Sequence, residues 1–324
     1  MSRRINTTLT LATAVTVGLV AVGCADRSDT AEAAAEDFPT QDITLYTPTD
    51  AGGATDLTAR TIASQMEESL DVSVVVQNRG GGAGSVGMEH VAQQDADGYT
   101  IAVFPVEVAM LGHLDYDIDP ADYDFLGQVN SQPGTIAVPT DSPYETLEDL
   151  IEAARENPGG ISISNAGAGS IWEAGANELA NAADVEFQGV PYDGGAPAVS
   201  AAIAGQVDAV VAGIGETSPA HADGRLRVLA VFTEEQAPAL EDVPTATEQG
   251  YDVVIGSWAV IAAPTGLNEE VAAFLESSIE EAVSSEEYTE FIESGGNIPL
   301  YKNSEEATAF VQEEADRFAE LLGD

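Results

Sequence analysis

Basic residues are scarce in this 324-residue chain: 10 Lys and Arg stand against 56 Asp and Glu, a formal charge of −46. Binding nucleic-acid phosphates requires clustered Lys and Arg, so nucleic acid is excluded as a partner. The three histidines, His90, His113 and His221, are isolated from one another and from cysteine, so no zinc spacing exists. No Asp-x-Asp-x-Asp-Gly loop is present, which removes calcium binding as the reason for the acidity. Ser85 follows Ala83-Gly84 and misses the Gly-x-Ser-x-Gly pattern of a hydrolase nucleophile. The single cysteine excludes an internal disulfide. The apolar run from Leu9 to Val22 is shorter than a comfortable membrane span.

That run has a different use. Arg3 and Arg4 precede it and Val20-Ala21-Val22-Gly23-Cys24 ends it, the charged-then-apolar order of a secretory signal. The lone cysteine sits directly behind a small residue. The segment resembles a bacterial lipobox, which implies that residues 1–23 are a signal peptide and that Cys24 is lipidated. The protein is then exported and anchored on the outer side of the cytoplasmic membrane. An ordinary signal peptide with a chance cysteine is the alternative. Residues 24–40 read as a flexible polar tether.

Losing Arg3 and Arg4 with the signal, and no acid, leaves a charge near −48. The acids are dispersed, as in Glu67-Glu68, Glu234-Glu235, Glu286-Glu287 and Glu313-Glu314, not gathered into a tail. With 44% apolar residues the chain has the composition of a folded protein. One-sign charge of this size is self-repelling in dilute salt. At about 1 M salt the screening length falls to roughly 3 Å and the repulsion mostly disappears. The surface reads as a halophile's.

Along the chain, strands alternate with helices. Strands are expected at Ile43–Tyr46, Val72–Val76, Tyr99–Phe104, Ile161–Ser164, Val185–Val190, Val207–Val211 and Arg227–Phe232. Helices are expected up to about Leu70, through Gln93, over Leu147–Glu156, behind Ser170, up to Gly205, and at Glu269–Val283 and Ser304–Leu322. In the first of these, Leu57, Ile62, Met66 and Leu70 fall near one face. The alternation implies α/β layers around mostly parallel sheets.

Gly82-x-Gly84-x-x-Gly87 matches the dinucleotide fingerprint, and Glu107, twenty positions after Gly87, even supplies its acid. Two facts oppose that use. Nicotinamide cofactors are not supplied outside the membrane, and Gln77 to Gly81 intervene where the strand of a Rossmann turn runs into its first glycine. No cofactor and no metal are expected. The same module, strand then Gly-rich loop then helix, occurs at Gly53, Gly82, Gly167 and Gly194. Each loop offers backbone N–H groups and a helix N-terminus to a small anion. Four such loops, split between two halves of the chain, suggest two lobes facing a cleft.

The segments AGGATD, VVVQNRGGGAGSVG, DADGYTIAV, SNAGAGS, VPYDGGAPAVSAAIAGQVDAVVAG, GRLRVLAV and EDVPTATEQGYDV carry a resemblance over residues 42–300. Their order and spacing are similar to those of the substrate-binding proteins of tripartite tricarboxylate transporters, the Bug receptors. The resemblance implies an α/β, two-lobed periplasmic-binding-protein fold of type II, each lobe a mixed sheet flanked by helices. Lobe one is expected over 41–134 and 228–324, lobe two over 135–227. It implies a monomeric, non-enzymatic receptor for a small carboxylate, with a membrane partner of one small and one large subunit. A stand-alone sensory or scavenging receptor of the same fold is the alternative, and an extracytoplasmic hydrolase is more remote.

Carried over by position, the ligand loops of lobe one hold Thr49, Ala51, Gly52, Gly53 and Asp56, then Gly82, Ala83, Gly84, Ser85 and Val86, with Pro105 at a strand end. Lobe two contributes Ala166, Gly167, Gly169 and Ser170, then Tyr192, Gly194 and Gly195, with Gly213 at a strand end. Arg79 reads as a loop anchor, and Trp172 and Trp258 as core residues. Asp56 has two candidate roles, at a helix end and toward a donor group on the ligand. Thr49-Asp50 and Ala212-Gly213 depart from the family's usual residues and leave the ligand's identity open.

Overall fold

The structure, a computed structural model, describes residues 38–192 and 194–322; the expected signal and Cys24 lie outside them. The first half of the chain carries β1 (Ile43–Thr47), α1 (Ala54–Ser69), β2 (Val74–Asn78), α2 (Ser85–Ala92), β3 (Thr100–Pro105) and the short α3 (Glu107–Met110). A strand of 17 residues follows, β4 (Tyr123–Pro139). Beyond it come α4 (Leu147–Glu156), β5 (Ser162–Asn165), α5 (Ile171–Ala183), β6 (Gln188–Pro191), α6 (Gly195–Ile203), β7 (Ala209–Gly213), α7 (Ile214–Ala222) and β8 (Leu226–Phe232). The chain ends with β9 (Gly256–Pro264), α8 (Glu269–Val283), α9 (Glu286–Ser294), β10 (Ile298–Lys302) and α10 (Ser304–Leu322).

Local chemistry sets several of these ends. Thr146 accepts from the Asp149 amide at 3.2 Å while Asp149 accepts from the Thr146 amide at 2.9 Å, a reciprocal cap that starts α4. Such a cap is worth about 1 kcal/mol. In α1, Ile62 and Met66 are fully buried, but Leu57 is 43% exposed. Five residues at the helical period put Leu57 about 140° around from Ile62, off the apolar stripe.

Pairing divides the strands into two sheets. The first runs β2-β1-β3-β9-β4, with β10 also on β4; β1 is parallel to β2 and β3, and the β9 and β10 pairs are antiparallel. The second has parallel β5, β6 and β7, with β4 antiparallel to β7 and β8. Each sheet is therefore mixed. β4 belongs to both: Tyr123 to Pro133 pair with β9, and Gly134 to Pro139 pair with β8. Residues 228–232, which the sequence reading placed in lobe one, pair in the second sheet because β8 docks on the far half of β4. Ala237, Leu240 and Val243 then pack with Val210 and Val231 on that same side.

One apolar cluster, including Met88, Phe104, Trp172, Phe232 and Phe318, continues from one lobe into the other. Ile43, Ile62, Met66, Leu275 and Tyr288 fill the outer face of the first sheet, and Ala137, Ala202, Val210 and Val231 that of the second. No helix among the described residues is long and apolar enough to cross a membrane.

Candidate functional site

A cleft between the lobes holds two adjoining chambers of about 410 and 550 Å³ that share Thr55, Pro105, Gln132 and Ser257. In the first, Thr49, Asp50, Gly80, Gly81, Ala83, Gly84 and Glu107 face Ala166, Ala168, Gly169, Ser170 and Trp172. In the second, Gly52, Gly53, Thr58, Asn130, Trp258 and Asn297 face Gly194, Gly195 and Glu216. The cleft floor lies where the two strands cross between sheets. Gly134 donates its N–H to the Ile255 carbonyl at 3.0 Å, and Gln132 and Ser257 flank that point.

Eleven residues expected at the site line these chambers: Thr49, Gly52, Gly53, Ala83, Gly84, Pro105, Ala166, Gly169, Ser170, Gly194 and Gly195. The other eight do not form the wall. Ala51, Gly82 and Val86 face solvent, and Ser85 is buried at the start of α2. Gly167 and Tyr192 are half-buried behind the loops. Gly213 lies beneath the wall, and a Cβ there would fall 2.6 Å from Glu216 Oε2 and 2.7 Å from Gln132 Nε2. Its missing side chain leaves room for both groups.

Asp56 is almost completely buried. It accepts from the Gly52 amide at 2.8 Å, Arg60 Nε at 3.0 Å and Asn78 Nδ2 at 2.8 Å. Burial pushes its carboxyl up, but the bonds from Arg60, Gly52 and Asn78 outweigh this and hold the pKa below the usual value. The carboxylate is occupied in fixing the first loop to α1 and β2, the helix-end role.

The glycine fingerprint has a packing explanation. A Cβ on Gly87 would lie 2.6 Å from the Arg79 carbonyl and 2.7 Å from Pro48 Cα, so α2 approaches the first loop only because residue 87 is glycine. Gly82, Ala83 and Gly84 have φ of 57°, 54° and 101°, a left-handed turn in which Ala83 is strained. The Arg79 amide donates to the Thr47 carbonyl at 2.8 Å, and its side chain is exposed.

The loops are less open to an anion than four repeats of one module suggest. The Gly52 amide is taken by Asp56, Gly167 by Asn165 Oδ1 at 2.9 Å, and Gly169 by Glu173 at 2.7 Å. Gly194 donates to the Tyr192 carbonyl at 2.9 Å. Among the described residues, the amides of Gly53, Gly81 and Ala168 have no protein acceptor and remain for a ligand.

Sequence reasoning missed the acids of the wall. Among the described residues, Asp50, Glu107 and Glu216 line the cleft, and no Lys, Arg or His does. Burial pushes both glutamates up to about 7; the Glu107 amide, and the Gly213 and Glu216 amides, oppose it weakly. Glu216 Oε2 and Asn297 Oδ1 are buried acceptors with no hydrogen-bond donor. Glu216 escaped notice because Gly215 and Pro219 make its helix read as a loop. Gln132 escaped because Gln132-Pro133-Gly134 reads as a turn. The described residues hold no group of side chains able to bind a metal ion. His90 packs edge-on against Tyr46 and is half-buried. His221 accepts from the Val228 amide at 3.2 Å.

Two lobes, two strand crossings and a polar cleft between loops define a solute receptor of the periplasmic-binding class. Residues 58–324 match the Tripartite tricarboxylate transporter family receptor (TctC). The chain belongs to that family, whose members are exported transport receptors and not enzymes. It is 32% identical to the UPF0065 protein in the tcbD-tcbE intergenic region of Pseudomonas sp. (strain P51), over 88% of this chain and 86% of that one. Among solved structures it resembles MatC from Rhodopseudomonas palustris with bound malate, at TM-score 0.76 and 26% identity, over 88% of this chain and all (100%) of that one. It also resembles an R. palustris protein with adipate, at TM-score 0.79 and 28% identity, over 89% and 99% of the two chains.

Proposed function

We propose that this receptor binds a small organic carboxylate between its lobes and delivers it to a membrane transporter of one small and one large subunit. The observation that carries the reading is the cleft itself, where the amides of Gly53, Gly81 and Ala168 stand without protein acceptors. Among the described residues the wall has no cationic side chain, so the carboxylate is held by backbone N–H groups. Dispersed surface acids are screened by salt, whereas N–H groups on the cleft loops act on a ligand at contact range. The malate and adipate in the two R. palustris relatives support the same ligand class.

A thermal-shift screen of the purified full chain in molar salt tests this. One class of mono-, di- or tricarboxylates should raise the melting temperature in proportion to the logarithm of its concentration. Stabilisation by sugars, nucleotides or inorganic cations alone overturns the reading. Genes for the two membrane subunits beside this one would support delivery to a transporter; their absence favours a stand-alone sensor.

The anchor and the surface belong to the same proposal. Cys24 carries the lipid, and the residues between it and Phe38 tether a monomeric receptor outside the cytoplasmic membrane. The tether expected over 24–40 is shorter at its end, because Phe38 is buried against Tyr99 and Phe274 and the Thr40 amide donates to the Tyr99 hydroxyl at 3.0 Å. Cys24→Ser should move the protein from the membrane fraction to the soluble one. The acidic excess suits a salt-rich exterior.

A further inference from the structure

The second chamber is built to accept hydrogen bonds. Glu216 Oε2 and Asn297 Oδ1 are both buried and both lack a donor. They reach the chamber from different lobes, Glu216 at the start of α7 and Asn297 between α9 and β10. Both residues line the second chamber, and a Cβ on Gly215, the neighbour of Glu216, would lie 3.6 Å from Asn297 Oδ1, so the start of α7 and the Asn297 loop meet there. The Glu216 carboxylate also fills the space a side chain would take at Gly195, the first residue of α6. The chain's own acid thus stands at the helix end where a ligand anion would otherwise sit.

We propose that the ligand's carboxylate lies toward the first chamber and that the ligand carries an ammonium group, held in the second chamber by Glu216 and Asn297. The inference rests on the carboxylate reading and narrows it to zwitterionic amino-carboxylates. A plain dicarboxylate would bring a second negative charge to a wall whose described residues already include Asp50, Glu107 and Glu216 and no Lys, Arg or His. An ammonium instead supplies the missing donors, and it draws the lobes together because its two acceptors belong to different lobes.

Electrostatics give this arrangement a pH signature. Burial raises Glu216 to about 7 in the empty cleft, opposed by the Gly213 and Glu216 amides and by no cationic side chain. Packed against α7, the elements α6, β7 and the second half of β4 carry no ionisable residue. Arg227 of β8 is turned to the Thr140 and Tyr144 carbonyls, and His221 and Asp223 stand at the far end of α7. Among the described residues, Asp50 and Glu107 are the other ionisable groups that line the cleft. An ammonium must find Glu216 ionised, so its binding expels a proton below pH 7 and weakens as pH falls. A second ligand carboxylate must find it protonated, so its binding strengthens as pH falls.

The test is calorimetric titration of the full chain in molar salt with matched probes: propionate and alanine, succinate and aspartate, glutarate and glutamate, hexanoate and 6-aminohexanoate. In at least one pair the amino-substituted probe should bind about tenfold tighter or more, because its plain partner leaves buried acceptors unpaired. Glu216→Gln, nearly isosteric, should shrink that ratio to within about threefold. The tighter probe should lose affinity between pH 8 and pH 5.5 in the wild-type chain, a readout that needs no variant. Plain acids binding as tightly as their amino partners, an unchanged ratio in E216Q, or affinity rising toward pH 5.5 each overturn this proposal while leaving the carboxylate reading intact. No response to any probe, plain or substituted, removes both.

Discussion

Gly256 lies so close to Gln132 that a Cβ on it would be 2.5 Å from the Gln132 carbonyl oxygen. Gly134, on the adjacent crossing, would bring its own Cβ to 2.7 Å from the Ile255 carbonyl. The two strands that link the lobes are pressed together backbone to backbone, and the side chains of Gln132 and Ser257 project from them into both chambers. Gly256→Ala and Gly134→Ala should therefore each destabilise the fold by about 1–3 kcal/mol, since neither carbonyl can yield without parting the strands. Ligand affinity should fall as well, because the floor of the cleft moves. Chemical denaturation and ligand titration of the same variants check both parts. Wild-type stability in either variant would mean that the crossings are looser than this.

Asp56→Ala removes three hydrogen bonds at the first loop and should cost about 1–3 kcal/mol. Its folded pKa is depressed, so the stabilisation is present above the ordinary carboxyl value of 3.8 and is lost as pH falls through the folded value. Denaturation at pH 7 and pH 3 should show the variant weaker at the first and the gap narrowed at the second. Asp56→Asn should lower the affinities of matched plain and amino-substituted ligands alike. A selective loss for one of them would give Asp56 a ligand role.

Glu107 and Glu216 act in the opposite sense. Their folded values are raised to about 7 from 4.5, so the folded chain holds protons that the unfolded chain has released between those values. They lower stability as pH rises from about 4.5 to about 7, by up to about 3 kcal/mol each. Above 7 the penalty is constant. Glu107→Gln should raise the melting temperature at pH 8 and flatten its decline across that window. A decline as steep as in the wild-type chain would place the Glu107 carboxyl in solvent.

With 56 acidic residues against 10 basic, stability should climb between dilute buffer and about 1 M salt, as the screening length shrinks to roughly 3 Å. Melting curves in sodium chloride and potassium chloride test it. Equal melting temperatures at low and high salt would remove the halophilic reading of the surface.

Elements governed by neighbours in sequence were legible from sequence. Leu147–Glu156, Glu269–Val283 and Ser304–Leu322 form helices over those residues because periodicity and helix-end residues act within a turn or two. The Gly-rich loops were legible for the same reason, since a left-handed turn such as Gly82 to Gly84 selects its own residues. β4 was not legible. Gly127, Pro133 and Gly134 interrupt it in the manner of a turn, and only its partners β9 and β8 make it one extended strand. The helix of Glu216 was hidden likewise by Gly215 and Pro219.

By itself the sequence determined the α/β order, the acidic surface, the four loops and the family, because each depends on residue type and short spacing. Only the tertiary structure decided which loop amides remain open. Asp56 and Glu173 take amides four residues before them, and Asn165 takes that of Gly167, through side-chain orientations that spacing alone does not set. It also decided what the cleft asks of a ligand. Glu107, Gln132, Glu216 and Asn297 are far apart along the chain and meet only when β4 and β9 carry the backbone between lobes. The raised pKa values of Glu107 and Glu216 and the unpaired oxygens of Glu216 and Asn297 come from burial, which no single segment of the chain possesses until the lobes enclose it.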